Sequence, residues 1–334
     1  MKISLFKVVC LSGILTAMPV FAADTNAEKT ISKSFTVELG GELTVDADQG
    51  DIEVLTGDKS TVEVVVEREA KGASESKETS ALKRHKVTFS QDGNKVRVEG
   101  VTAKSSHGLF SFSHPDLTVH FKITVPRRFN ASLNTSGGNI HVTDLNGTVD
   151  ARSSGGDLVF AKIRGAVEGH TSGGEVKASD CADKLTLQSS GGNVVIKNYT
   201  GSSAQADTSG GNIEVAGCTG ALVVKTSGGN IAISAFSGAS AYADTSGGSI
   251  SIELDKQPTA DCYIHTSGGN ITANMSASTA LNLTATTDGG SVSSAIPVTV
   301  EGKQKEGSLV GKMNGGGPKL SLLTSGGNIE VLKD

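Results

Sequence analysis

Two acidic residues carry the sharpest chemical possibility in this sequence. Asp150 and Glu168 lie eighteen residues apart, and Arg152 and His170 each follow two residues later. If eighteen residues make one coil of a stacked structure, the carboxylates stand about 5 Å apart beside a cation. That could be the acid–base pair of a polysaccharide-cleaving enzyme. It is equally what a solvated face with compensating charges looks like, since rung spacing alone generates such pairs. A second group, His107, His114, Asp116 and His120, offers imidazoles and a carboxylate for zinc or copper, but its spacing fits no zinc pattern. The plain alternative is a polar loop around Phe110 and Phe112. Asp157 and Glu175 also stack and could hold Ca²⁺, yet the repeat lacks the regular Asp of calcium-binding nonapeptides. Val223, Tyr242 and Tyr263 form an outward strip, the one aromatic strip expected outside, fit for a partner, a glycan or the longer turn 253–261.

Other chemistries fail on the motifs. The recurring Gly-Gly is not followed by Lys-Ser or Lys-Thr, which excludes a phosphate loop. No serine sits in a nucleophile elbow. No catalytic, cofactor or metal set is therefore assigned, and the chain is not read as an enzyme.

What positions these residues is a repeat. Thr or Ser, then Ser or Asp, Gly-Gly, a polar residue and an aliphatic recur from Thr135, Ser153, Thr171, Ser189, Thr208, Thr226, Thr245, Thr266, Thr287 and Thr324. The steps are 18 to 21 residues except the last, of 37, which predicts a degenerate copy near Asn314-Gly315-Gly316. The ten pairs explain most of the excess in 42 glycines among 334 residues. Aligned copies give apolar columns: Ile140, Leu158 and Val176; Val142, Phe160 and Ala178; Leu145, Ile163 and Cys181; Val149, Val167 and Leu185. Only parallel, in-register stacking puts like on like, because no single coil can bury its apolar side. The prediction is an all-β parallel β-solenoid of about ten 18–21-residue coils over 131–334, right-handed by the preference of parallel crossovers. Each Gly-Gly is expected to supply a positive-φ turn. The column Asn139, Asp157, Glu175, Asn193, Asn212 and Asn230 is expected to bond amide to amide along the rod. The last strand, 329–332, is expected to leave an unpaired edge open to self-association.

Residues 23–130 lack the motif and are predicted to form a strand-rich cap or divergent rungs. Strands 35–39 and 42–45 alternate around Gly40-Gly41 as a hairpin would. Asp51-Ile52-Glu53-Val54 resembles a divergent rung, 62–66 a strand, 74–86 a short helix or solvated loop, and 87–101 a hairpin through Asp92-Gly93-Asn94. Residues 1–22 read as a signal peptide: Lys2 and Lys7, a short apolar run, then Ala22 at the cleavage site. Its loss leaves a net charge of −7, which argues against nucleic acid or an anionic membrane as partner. No segment reaches the apolar length of a membrane span. Cys181 and Cys218 share a column two rungs apart, about 9.6 Å, beyond disulfide reach, and Cys262 lies on the other strand, so all three read as free and buried.

With Ile123-Thr124-Val125-Pro126 leading into these S-G-G-N-I units, the chain resembles bacterial exported proteins known as putative adhesins of unknown function. The resemblance spans nearly the whole mature chain and implies a β-repeat solenoid at the cell envelope, with no catalytic residue to carry over. The reading is a non-enzymatic envelope scaffold or adhesion module, periplasmic or surface-exposed, that meets an envelope protein or polysaccharide. The alternative is a carbohydrate-active enzyme or polysaccharide-binding protein on a parallel β-helix.

Overall fold

The computed structural model describes residues 20–22, 28–103, 117–300 and 303–334. Two long sheets, one of sixteen strands (sheet A) and one of fourteen (sheet B), face each other across a shared core. Each rung contributes one short strand to each sheet. In the rung of Ser153, Val149–Ser153 lies in sheet A and Leu158–Ala161 in sheet B, with the motif as the turn between them. Neighbouring rungs pair in parallel and in register: Ile140 with Leu158, Leu158 with Val176, and Val149 with Val167. Ile140, Leu158 and Val176 are all 0 % exposed. The chain is a parallel β-solenoid with a single apolar core running from Phe35 to Val331. Cys181, Cys218 and Cys262 are free and buried in it.

The motif works differently from the expectation of a positive-φ turn. Its glycines are absent from the residues with positive φ. The second glycine is required by close approach: a Cβ on Gly192 would stand 1.9 Å from the carbonyl oxygen of Gly174 one rung below, whereas Gly191 has room. Left-handed residues recur instead at the opposite corner, in the column Asp144, Lys162, Asp180, Asn198, Gly217 and Ala235. The first residue of the motif points inward. Ser153 Oγ donates to the carbonyl of Gly138 below at 2.9 Å and accepts the N–H of Gly156 at 2.9 Å, so the buried hydroxyl is satisfied twice. The polar column bonds side chain to backbone, not amide to amide: the N–H of Asp157 donates to Asn139 Oδ1, that of Asn212 to Asn193 Oδ1, and that of Asn230 to Asn212 Oδ1, each at 2.8 Å.

At both ends, order in the chain and order in space part. Gly41–Ala47 lies in sheet A between Lys95–Thr102 and Phe129–Thr135, and Asp51–Gly57 lies in sheet B between Leu117–Pro126 and Ile140–Thr143. The earliest rung in the chain is thus inserted between two later ones. Ile52 pairs with Ile140, so this segment is a true rung. The strand Thr30–Thr36 joins sheet B on Thr61–Ala70 instead of forming a hairpin with Gly41–Ala47. His85–Asp92 and Lys95–Thr102 do form the expected hairpin, and the helix Glu75–Arg84 precedes it. Buried Arg68 ties these parts together by donating to the carbonyls of Leu82 at 3.0 Å and His85 at 2.7 Å.

The other end repeats the device. Lys319–Thr324 is inserted between Cys262–Thr266 and Leu281–Thr287, and Ile329–Lys333 between Ile271–Met275 and Val292–Ser294. The final strand is therefore paired on both sides, which overturns the expectation of an open edge at 329–332. The long step before Thr324 hides no degenerate rung either. Ser308–Met313 runs antiparallel to Leu281–Thr287 and carries Thr299–Val300 on its far side. Asn314, Gly315 and Gly316 form a left-handed turn with φ of 48°, 89° and 87°.

Candidate functional site

The outward face of sheet A gathers most of the residues singled out in the sequence. Side chains alternate along each strand, so every rung offers the same outward positions, and stacking turns them into columns. One column carries Asp150, Glu168, Thr186, Gln205, Val223, Tyr242 and Tyr263; beside it run Arg152, His170, Gln188, Asp207, Lys225, Asp244 and His265.

Toward the first rungs the face is an ion-paired network. Glu168 Oε1 meets Arg152 Nη2 at 2.9 Å and His170 Nε2 at 2.8 Å, while Arg152 Nε lies 3.1 Å from Asp150 Oδ1. The hydrogen bond from His170, followed by that from Arg152, holds the Glu168 carboxyl below its ordinary pKa. A proton donor for glycoside cleavage needs the opposite shift. Glu168 is also half exposed, so the network is a solvated set of compensating charges.

Toward the later rungs the face becomes aromatic. The rings of Tyr242 and Tyr263 stack at 5.2 Å with 18° between their planes. Lys225 Nζ stands 5.2 Å from the Tyr242 ring centre, and the His265 ring lies 6.1 Å from that of Tyr263. His265 Nδ1 is 2.6 Å from Asp244 Oδ1. Burial, then the nearby Asp244 charge, pushes the Tyr242 phenol up; for Tyr263 burial again leads, followed by Tyr242 and Asp244. Both therefore stay protonated donors. Val223 precedes them in register. The turn that follows Leu254 hydrogen-bonds elsewhere, to Ala239 and Ala280.

A groove of about 660 Å³ connects the two ends. One wall is the column from Arg152 to Asp244; the other is the second motif position, Ser154, Ser172, Ser190, Ser209, Ser227 and Ser246. From Asn134 to Asp244 it spans seven rungs, about 29 Å at ~4.8 Å per rung. Sequence reasoning missed this groove, although the recurrence of serine at that position was its signal. A second hollow of about 420 Å³ lies on the other side of Asp150 and Glu168, beside Lys184 and Glu42.

The metal readings fare differently. His107, His114 and Asp116 lie outside the described residues. His120 is on the strand Leu117–Pro126, with Nδ1 3.2 Å from Asp51 Oδ2. Asp157 Oδ1 accepts the Glu175 N–H at 2.7 Å, and Glu175 Oε2 pairs with Lys177 Nζ at 2.5 Å, so both acids are spent on the ladder and on charge pairing. Among the described residues no three His, Cys, Asp or Glu gather where they could hold a metal ion.

The profile of the Toastrack DUF4097 family matches residues 41–332. The chain belongs to this family. Its Toastrack fold has similar solved structures. A putative lipid binding protein of Parabacteroides distasonis is 14 % identical with a TM-score of 0.44, over 92 % of this chain and 98 % of that one. A putative adhesin of Parabacteroides distasonis is 15 % identical with a TM-score of 0.39, over 91 % and 97 %. A putative adhesin of Bacteroides fragilis is 14 % identical with a TM-score of 0.35, over 91 % and 98 %. No curated protein matches this Toastrack chain. No helix among its described residues is long and apolar enough to cross a membrane.

Proposed function

We propose that this Toastrack protein is a non-enzymatic binding module of the bacterial cell envelope, exported to the periplasm or the cell surface, and that it holds an extended polysaccharide along the outer face of sheet A. The carrying observation is the continuity of the groove with the tyrosine stack. Lys225 and Asp244 line the groove, and the same two side chains contact Tyr242 and His265. Serine hydroxyls, an amide, charges of both signs and rigid rings suit a long hydroxyl-rich polymer better than a small molecule or an anionic chain.

Titrating a panel of cell-wall and capsular polysaccharides into the protein tests this. Binding should fall at least tenfold in Tyr242→Ala/Tyr263→Ala and stay unchanged in Lys177→Ala on sheet B, with no reducing ends released. Failure of every polysaccharide to bind, or equal binding by the tyrosine variant, overturns the glycan reading. Release of reducing ends that is lost in Asp150→Ala would favour the enzyme. Protease shaving of intact cells separates surface from periplasm.

A further inference from the structure

The inserted C-terminal rung carries an inference independent of the glycan reading. We propose that the strand–turn–strand unit Lys319–Lys333 is exchangeable between copies, so that the unit of one chain fills the slot of a second and the protein forms a strand-swapped dimer.

The slot is built by chain that precedes the unit. Its walls are the rung of Cys262–Thr266 and Ile271–Met275 and the rung of Leu281–Thr287 and Val292–Ser294. What fits between them is the repeat itself. Thr324 Oγ1 donates to the Gly269 carbonyl at 2.8 Å, and the Asn328 N–H donates to Asn270 Oδ1 at 2.8 Å. On the other side Thr287 Oγ1 donates to the Gly327 carbonyl at 2.7 Å, and the Ser291 N–H donates to Asn328 Oδ1 at 2.9 Å. Leu320, Leu322, Ile329 and Val331 close the core at 0 % exposure. These contacts are the same whichever copy supplies the unit. An exchange therefore regains in one chain what it loses in the other, and mass action sets the balance.

A hinge is present. Asn314, Gly315 and Gly316 connect Ser308–Met313, on one side of Leu281–Thr287, to Lys319–Thr324 on the other. Their three successive left-handed conformations are a compact turn that two glycines can abandon readily. The strand before the hinge stays anchored by its six-residue antiparallel pairing when the turn opens.

A native cysteine makes the exchange readable. Cys262 and Leu320 are in-register neighbours, both buried. Parallel neighbours lie about 4.8 Å apart, within the span of a disulfide. In a full-length chain whose other cysteines are alanine, Leu320→Cys should oxidise to an internal 262–320 link. The decisive sample mixes two differently tagged chains: one keeps Cys262 and Leu320, the other carries Leu320→Cys with Cys262→Ala. Neither can link internally. Exchange predicts a covalent heterodimer, mapped to 262–320 by mass spectrometry, whose yield grows with protein concentration. A mixture that stays monomeric on oxidation, while the single-chain variant links internally, overturns the proposal. So does failure of the internal link, because the unit would then not occupy this slot.

Discussion

The body of the solenoid and its two ends solve the same problem in opposite ways. From Phe129 to Met275 each rung is followed in the chain by its neighbour in space, with sheet A and sheet B strands simply alternating. At either end the outermost parallel contacts are made by rungs that the chain reaches out of order. An ordinary last rung would expose a full row of backbone donors and acceptors, a template for unwanted pairing. Here the first and last rungs in chain order are sandwiched; antiparallel strands form three of the four sheet ends, and the short parallel strand Val292–Ser294 forms the fourth. The body thus depends on repetition, and the ends depend on contacts between distant segments.

Removing one sandwiched rung should have the largest effect. Ending the chain after Pro318 deletes Leu320, Leu322, Ile329 and Val331, all fully buried. That forfeits about 6–12 kcal/mol of gross apolar burial at ~1.5–3 kcal/mol per side chain. Proteinase K, which cuts with little sequence preference, should then cleave throughout 281–313 while the earlier rungs resist. A melting temperature equal to that of the intact chain would show instead that the slot's two walls pair directly, as body rungs do.

Within the body, the two motif glycines make a sharper contrast. Gly192→Ala forces a methyl to within 1.9 Å of a backbone oxygen, and the same change at Gly191 finds its nearest neighbour at 3.7 Å. Unfolding by denaturant should register a loss of about 3 kcal/mol or more for the first and under ~1 kcal/mol for the second. Equal costs would return the motif to a turn-conformation role.

The N-terminal end should also respond to pH, through a buried histidine. His85 is 1 % exposed, both ring nitrogens lack a partner, and burial, then the charge of Arg68, pushes its pKa down to about 4 against an opposing pull from Asp48. The folded value lies below the unfolded one, so the neutral ring is favoured in the fold. Stability is complete above pH ~6.5, falls as the unfolded state takes up a proton, and levels off below about 4, a loss of about 3 kcal/mol. Chemical denaturation between pH 7 and 4 should show this slope in the intact chain and a flatter one in His85→Leu. Parallel slopes would remove His85 as the cause.

How far the sequence reveals the fold follows the same division. The columns Ile140–Leu158–Val176 and Val149–Val167–Leu185 are visible because neighbours in space are neighbours in the repeat. The column Cys262–Leu283 looks continuous in sequence, yet Leu320 lies between them, since nothing local marks the Thr324 rung as an insertion. Gly40-Gly41 mimics a hairpin turn, but Gly41–Ala47 finds its partners over 50 residues away. On the candidate face, Tyr242 and Tyr263 are legible because alternation fixes the outward side. The serine wall of the groove is written in the motif, but its concavity depends on how the turn folds over sheet A.

The smallest expected effect concerns the polar ladder of the body. Asn212 Oδ1 accepts the Asn230 N–H at 2.8 Å, and the Asn212 N–H donates to Asn193 Oδ1 at 2.8 Å. Alanine at 212 removes the acceptor but leaves the Asn230 N–H near water, so the cost should be about 1 kcal/mol or less. Asn212→Asp keeps an acceptor at the same place and discards the amide donor. Asp157 already plays that part for the Glu175 N–H at 2.7 Å. If the ladder runs from side chain to backbone, Asn212→Asp should melt with the native chain and Asn212→Ala below it. Were the amide groups bonding to one another along the rod, both variants would lose stability alike.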